Sequence, residues 1–468
     1  MSTGLPGEEM TLAELIRLAD IYDRPVPRYT SYPTAVEFRE GITSQDYRGL
    51  LTQAAVRPNE PLSLYLHVPF CAERCTYCAC EVIPTHKASV AEDYLRRLLR
   101  EAELVASGLG GRRRLKVVHL GGGTPTYLSP AQLVRLFDHL RSRFEIDPLA
   151  EISVEVDPRV TSHEHLEAMK ASGVSRLSLG IQDFDQQVQV AIGRNQTTGQ
   201  TLKLVADCRK IGFENLNFDL VYGLPEQTPD SMEETIDKVV VLRPDRIALY
   251  GYAHVPWMRP NQKTIRAESL PGPHRRLELF WLAQSHLRKA GYVAVGMDHF
   301  ALPHDDLAVA YREQRLGRNF MGFTPHTDLE ILGLGVSSIG FVAGAYVQNQ
   351  KRLAAYYRTI DAGELPSERG VRTTQDDTVR RWTIHEILCH GRILKLAFEN
   401  RFGVAFDSYF ERELPNVAEL EAEGLVRLAP GVIAATERGQ FFLRNLALVF
   451  DRYRAQPDAA AQRFSRAV

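Results

Sequence analysis

Four of the six cysteines in this chain fall within ten residues, Cys71-Ala-Glu-Arg-Cys75-Thr-Tyr-Cys78-Ala-Cys80; the other two, Cys208 and Cys389, stand alone. The run follows Leu62-Ser-Leu-Tyr-Leu-His-Val-Pro-Phe70, whose apolar character predicts a buried strand. The cysteines are therefore expected on a loop at the C-terminal end of a strand, where barrel and open-sheet enzymes carry their chemistry. Thiolates this close together suit soft metals and iron–sulfur clusters. A disulfide framework is a poor account, because a chain of 468 residues with no leader pattern is not a stapled secreted mini-domain. Structural zinc draws on two separated C-x2-C knuckles, and the sequence holds no second pair.

The spacing C-x3-C-x2-C puts three thiolates on one tight loop. On a four-iron cluster, three thiolates leave one iron without a protein ligand. That open iron can chelate a small molecule, and S-adenosylmethionine is the natural candidate.

The net charge of −2 argues against general nucleic-acid affinity and leaves a polyanionic ligand dependent on a local basic pocket. No stretch has the length of a membrane span, and the first residues lack a basic-then-apolar targeting pattern. A cytoplasmic setting, which keeps thiols reduced, is expected.

Residues 1–56 read as an N-terminal extension, with a short helix over 12–20 and then Arg28-Tyr-Thr-Ser-Tyr-Pro-Thr34. From Pro61 the pattern alternates. Strands are expected at 62–68, 115–120, 151–156, 176–182, 215–222 and 246–252. Helices lie between: 91–109, one capped by Ser129 with Pro130 at its first position, and one capped by Thr228 and ending at Leu242. Six βα units in succession imply a parallel sheet with right-handed crossovers, an α/β fold of partial (β/α)6-barrel type spanning 57–300. Glu155, Asp157, Gln182, Asp183 and Asp219 collect where strands end, which is costly inside a barrel unless the barrel houses a site.

Beyond the sixth strand, 273–290 reads as a helix and 292–300 as a strand. In the segment 301–368 two glycine-rich runs, 316–324 and 332–340, read as turns. The last part, 369–453, is mainly helical, with helices at 376–389, 402–412, 417–423 and 436–453 and a hairpin around Pro430-Gly431. Such a module resembles a winged helix, but no basic recognition helix stands out, so a cap on the catalytic part is favoured over a DNA reader. Residues 454–468 read as a flexible tail.

The cysteine motif with Tyr77 before its third cysteine resembles the radical S-adenosylmethionine signature. With Cys80 added, and preceded by Tyr65-x-His67-x-Pro69-Phe70, it resembles the oxygen-independent coproporphyrinogen III oxidase family. Related haem chaperones carry an aromatic where Cys80 stands. The resemblance runs from about Tyr22 to about Tyr453 and includes Gly121-Gly-Gly-Thr-Pro125, Ser153-Val-Glu-Val-Asp-Pro158 and Gly180-Ile-Gln-Asp183.

The resemblance implies a [4Fe–4S] cluster on Cys71, Cys75 and Cys78, with Tyr65 and Cys80 in catalytic positions. A first S-adenosylmethionine would be met by Tyr65, Gly122, Glu155, Ala253 and Ile339. A second would be met by Tyr77, Gly123, Thr124, Gln182, Arg194 and Asp219, and both glycine-rich runs of 301–368 would lie over the cofactor and substrate cavity, completing the active site. It further implies oxidative decarboxylation of two propionates of coproporphyrinogen III to vinyl groups, with two S-adenosylmethionines consumed. The electron donor would be of flavodoxin or ferredoxin type, and the enzyme a monomer. Arg28 is the candidate contact for substrate carboxylates. A haem chaperone and a haem-modifying radical enzyme are the rival activities on this fold. Three positions depart from the family pattern: Glu81 for Asn, Met321 for Gln and Leu120 for Trp. Met321 and Leu120 are expected to bear on how the cofactor or substrate is cradled.

Overall fold

The computed structural model describes residues 11–454 together with Phe464 and Arg466. Six strands, β1 (Leu62–Val68), β2 (Arg114–Gly122), β3 (Glu145–Val156), β4 (Arg176–Gln182), β5 (Asn215–Tyr222) and β6 (Arg246–Gly251), lie side by side in chain order. Each runs parallel to the next. The expected βα succession is thus present, and its helices begin where the capping chemistry places them. Ser129 caps Pro130–Arg143 and Thr228 caps Pro229–Leu242, each with a reciprocal capping box. Each such cap stabilises its helix by roughly 1 kcal/mol.

The parallel sheet has a seventh member. Glu330–Leu334 pairs parallel with the outer edge of β1, Gly333 opposite Tyr65. The run 332–340 is therefore strand, turn and strand rather than a turn alone. Its glycines let two backbones touch: a Cβ on Gly333 would lie 2.8 Å from the carbonyl carbon of Ile339. Beyond it the sheet continues antiparallel through Ile339–Val342, Ala345–Asn349, Ser367–Arg372 and Arg39–Glu40. At the other edge β6 pairs antiparallel with His299–Ala301, which pairs with Val293–Val295. The single strand expected over 292–300 is thus a hairpin. The chain reverses at Gly296 (φ +61°), where any Cβ would collide with the Phe323 ring. The sheet stays open, a partial barrel.

The outward faces of these strands and the helices covering them form the main core. Leu120 belongs to it and is fully buried, so it does not cradle a ligand, contrary to expectation. On β2 its neighbour His119 takes the inward position, because successive strand residues alternate faces.

A second core joins the two ends of the chain. The helix Leu12–Tyr22 and residues Val26, Tyr29 and Tyr32 pack with Gln375–His390, Leu414–Ala422 and Leu443–Val449. The helix expected over 402–412 is interrupted: Lys395–Phe402 stops at Gly403 (φ +70°), and a short turn Phe406–Tyr409 follows. The stretch 436–453 is likewise broken, into Gly439–Phe442, Leu443–Val449 and Arg452–Arg454. Arg392–Leu394 adds a third strand to the small hairpin of Val426–Ala429 and Val432–Ala435. The tail reading for 454–468 falls almost wholly outside the described residues; Phe464 and Arg466 are both packed against the protein, as described below.

Candidate active site

The inward-facing side chains step by two along each strand and are mostly polar: His119 on β2; Glu151, Ser153 and Glu155 on β3; Arg176, Ser178 and Gln182 on β4; Asn217 and Asp219 on β5. Together they line one cavity of about 710 Å³ that opens at the C-terminal ends of the strands. That volume suits a sizeable organic ligand. At the opposite end Arg246 and Arg176 pair with Asp305 and Glu151 (2.6 and 3.4 Å), closing the floor with balanced charge.

Cys71, Cys75, Cys78 and Cys80 all face this cavity from the loop after β1. The loop is held from outside. Asn261 donates its side-chain amide to the carbonyls of Cys75, Thr76 and Cys78 (3.3, 2.9 and 2.9 Å). Gln262 donates to the carbonyls of Tyr77 and Ala253 (2.8 and 3.1 Å). Every carbonyl from Cys75 to Cys78 is thereby tied outward. Behind Cys75, Arg194 lies 3.8 Å from its sulfur and 3.3 Å from Asp157, and Arg159 pairs with the same carboxylate. Arg194 is 6% exposed, a buried cation and not a surface salt bridge.

The glycine turn after β2 is shaped by close approach. Gly122 has φ +109°, and a Cβ there would lie 2.4 Å from the His67 ring. A Cβ on Gly123 would lie 2.7 Å from the Pro69 carbonyl carbon. Only glycine lets this turn nest beneath the cysteine loop. Glu155 accepts the Gly122 amide proton (3.0 Å) and contacts His119 (3.3 Å), whose other ring nitrogen meets Ser153 (2.7 Å). Burial works against the Glu155 charge, yet the His119 contact and the Gly122 amide hold its carboxyl below the ordinary value. Asp219 goes the other way: burial, and then the Glu155 charge, push it up to about 6 despite bonds from Ser178 and Asn217 (both 2.9 Å).

Gly123, Thr124, Tyr77, Gln182, Arg194, Asp219 and Ala253 line the cavity, as do Arg28 and Met321. Gln182 has φ +70°, uncommon for a residue with a side chain and set at an irregularity in the β4–β5 register. Arg28 is not on a solvated loop; its guanidinium donates to the Gly251 carbonyl at the end of β6. Tyr65 and Ile339 do not line the cavity. Tyr65, the one partly exposed residue of β1, stacks on the cavity-lining His119 and lies 3.0 Å from His67 Nδ1. Ile339 lies on the strand beyond Gly333, and no residue of 332–340 reaches the cavity, whereas Met321, Phe323 and Thr324 of the other glycine-rich run do. Glu81 turns to Arg259 (2.8 Å).

His119, Ser153, Ser178, Asn217, Asn261 and Gln262 escaped the sequence reading. The first four carry a signal, polar side chains at every second strand position; the last two carry none.

The donor set fits an iron–sulfur cluster. Among the described residues no three thiol, imidazole or carboxylate groups converge on one point as a single ion demands. A cubane instead takes each thiolate at a separate iron corner. Three cysteines on one clamped loop, facing a cavity floored by polar groups, meet that need.

Comparisons with known proteins agree. Residues 65–239 match the radical SAM superfamily and residues 375–442 match the HemN C-terminal domain. The oxygen-independent coproporphyrinogen III oxidase of Pseudomonas aeruginosa is 41% identical over 458 residues, 97% of this chain and 98% of that protein. The Escherichia coli enzyme of the same name is 41% identical over 453 residues, again 97% of this chain. A solved structure of the Escherichia coli enzyme, described as a radical SAM enzyme, superposes with a TM-score of 0.87 over 92% of this chain and 100% of that one. Radical SAM proteins carry a [4Fe–4S] cluster and S-adenosylmethionine, and this chain belongs to the oxygen-independent coproporphyrinogen III oxidase family of that superfamily.

Proposed function

We propose that this protein oxidatively decarboxylates two propionates of coproporphyrinogen III to vinyl groups, giving protoporphyrinogen IX without oxygen. The observation that carries the reading is the cysteine loop facing the same polar cavity as the glycine turn, Glu155 and Asp219. Full-length similarity to enzymes of that name supports it.

Cys71, Cys75 and Cys78 would hold the cluster, leaving Cys80 as a free thiol. When bound, the cluster and S-adenosylmethionine supply a 5′-deoxyadenosyl radical able to remove hydrogen from a propionate β-carbon. The Gly122 turn presents backbone close to the cysteine loop, and Glu155, kept ionised, suits the amine end of S-adenosylmethionine. Tyr65 acts through His119 and His67, fixing their ring orientation. Gln182, Arg194 and Asp219 would hold a second S-adenosylmethionine beside Tyr77, Gly123 and Thr124. In this arrangement Arg194 must share its charge between that ligand and Asp157. Arg28 offers a cation to a substrate carboxylate. The electron donor would be a flavodoxin or ferredoxin.

Serine at Cys71, Cys75 or Cys78 is expected to abolish the cluster's visible absorption after anaerobic reconstitution, whereas Cys80→Ser keeps it. Loss of the cluster in Cys80→Ser would make Cys80 a fourth ligand and remove the open iron on which the reading depends.

A further inference from the structure

Phe464 lies more than two hundred residues beyond β6, yet it lines the cavity that the four cysteines face. Val26 and Arg28 line the same cavity. Its neighbour Arg466 is fastened to the N-terminal segment at several points. The Arg466 guanidinium meets the Asp23 carboxylate (2.7 Å) and donates to the Asp23 carbonyl (2.9 Å). Pro25 and Arg466 form an antiparallel bridge. From the other side, Arg444 donates to the Arg466 carbonyl (3.0 Å) and to the carbonyls of Val26 and Pro27. The Asp23 side chain is 2% exposed and the Arg466 side chain 58%, so the anchor reaches from the surface onto a buried carboxylate.

The strands give the cavity mostly polar side chains, but Val117, Val156 and Val221 line it too, and the partly exposed Phe464 ring adds to that apolar surface. A porphyrinogen has an apolar tetrapyrrole body with carboxylates only at its rim. Binding it calls for apolar surface and a cation in one cavity, and Phe464 and Arg28 contribute to both.

Building on the substrate reading above, we propose that Phe464 is a substrate-positioning residue. Its ring takes the apolar face of the tetrapyrrole, and the Arg466–Asp23 pair is the latch that holds the ring in place. Because the latch grips residues 23–25, the ring and Arg28 move as one unit, setting the distance between the apolar surface and the cation.

The test uses the reconstituted holoenzyme and coproporphyrin III, the fluorescent oxidised form of the substrate, with S-adenosylmethionine omitted. Phe464→Ala and Arg466→Ala should each weaken porphyrin binding on the order of tenfold, as loss of an aromatic anchor does. Both should raise KM for coproporphyrinogen more than they lower kcat. Phe464→Tyr should bind within about twofold of wild type, as expected when only the ring face is used. Iron content and thermal midpoint should stay at wild-type values in Phe464→Ala and Phe464→Tyr. Unchanged or tighter binding by Phe464→Ala would overturn the proposal, the tighter result marking Phe464 as a plug that substrate displaces. Weakened binding confined to variants that also lose iron or thermal stability would overturn it too, by making the contact purely structural. A wild-type protein that neither binds coproporphyrin nor turns over coproporphyrinogen would instead sink the substrate reading itself, and this proposal with it.

Discussion

Oε2 of Glu155 accepts the backbone proton of Gly122 at 3.0 Å, joining the end of β3 to the glycine turn after β2. The bond spends one carboxylate oxygen on architecture and leaves the group ionised at the cavity wall. Glu155→Gln keeps the shape but removes the charge. It should retain the cluster and bind S-adenosylmethionine at least about tenfold more weakly, since an amine–carboxylate bond becomes a neutral one. The change that S-adenosylmethionine induces in the spectrum of the reduced cluster measures this directly. Wild-type affinity would reduce Glu155 to a packing group.

Asn261 places one amide against three carbonyls of the cysteine loop. Asn261→Ala leaves them without that donor, each at a cost of roughly 1 kcal/mol or more where water cannot replace it. Reconstitution should then load less than half the wild-type iron and sulfide. Full loading would mean the loop keeps its shape unaided.

Asp219 is where a pH dependence is expected. Its carboxyl is pushed up to about 6 by burial and by Glu155, against roughly 3.9 for the unfolded group. The folded state therefore holds this proton more tightly. The associated stability is complete below about pH 4 and is lost as pH rises through about 6, a change of about 3 kcal/mol. Asp219→Asn should accordingly gain thermal stability relative to wild type between pH 4 and pH 7. Cofactor affinity that depends on the Asp219 charge should fall below about pH 6 in wild type and stay flat in the variant. A pH-independent difference between the two would remove Asp219 from both roles.

Two departures from the family pattern separate packing from function. Leu120 is buried in the main core, so Leu120→Trp should overpack it and cost about 1–3 kcal/mol. A lowered thermal midpoint with unchanged S-adenosylmethionine affinity is expected. Met321 lines the cavity, so Met321→Gln should leave the midpoint alone and alter ligand affinity. The reverse pattern would contradict both placements.

How far the molecule could be read from its sequence differs from part to part. β1, β4 and β5 stand where alternation and apolar runs put them, because burial on both faces leaves a strong signal. Glu330–Leu334 was hidden by its glycines, which serve backbone contact with the next strand, a tertiary reason that sequence expresses only as apparent turns. The hairpin at 293–301 was missed for a similar cause, the Phe323 ring seated on Gly296. At the site, the cysteine spacing was legible because ligands on one loop are local. The Asn261 clamp reaches across the chain to residues it never neighbours in sequence, and the anchoring of Arg466 on Asp23 spans nearly its whole length. Contacts of that kind have no periodicity to reveal them. Leu120 sits in the core and not at the cavity, because a motif fixes position along a strand but not the face to which each group contributes.

Removal of a hydrogen atom from each of two propionates in one cavity would consume two S-adenosylmethionines per product. Quantifying 5′-deoxyadenosine against protoporphyrinogen IX, in an anaerobic assay with coproporphyrinogen III and a low-potential reductant, tests this most directly. A ratio of two, with product mass lower by two carbon dioxides and four hydrogen atoms, is the predicted result. A ratio of one, or stable haem binding with no decarboxylated product, would contradict it.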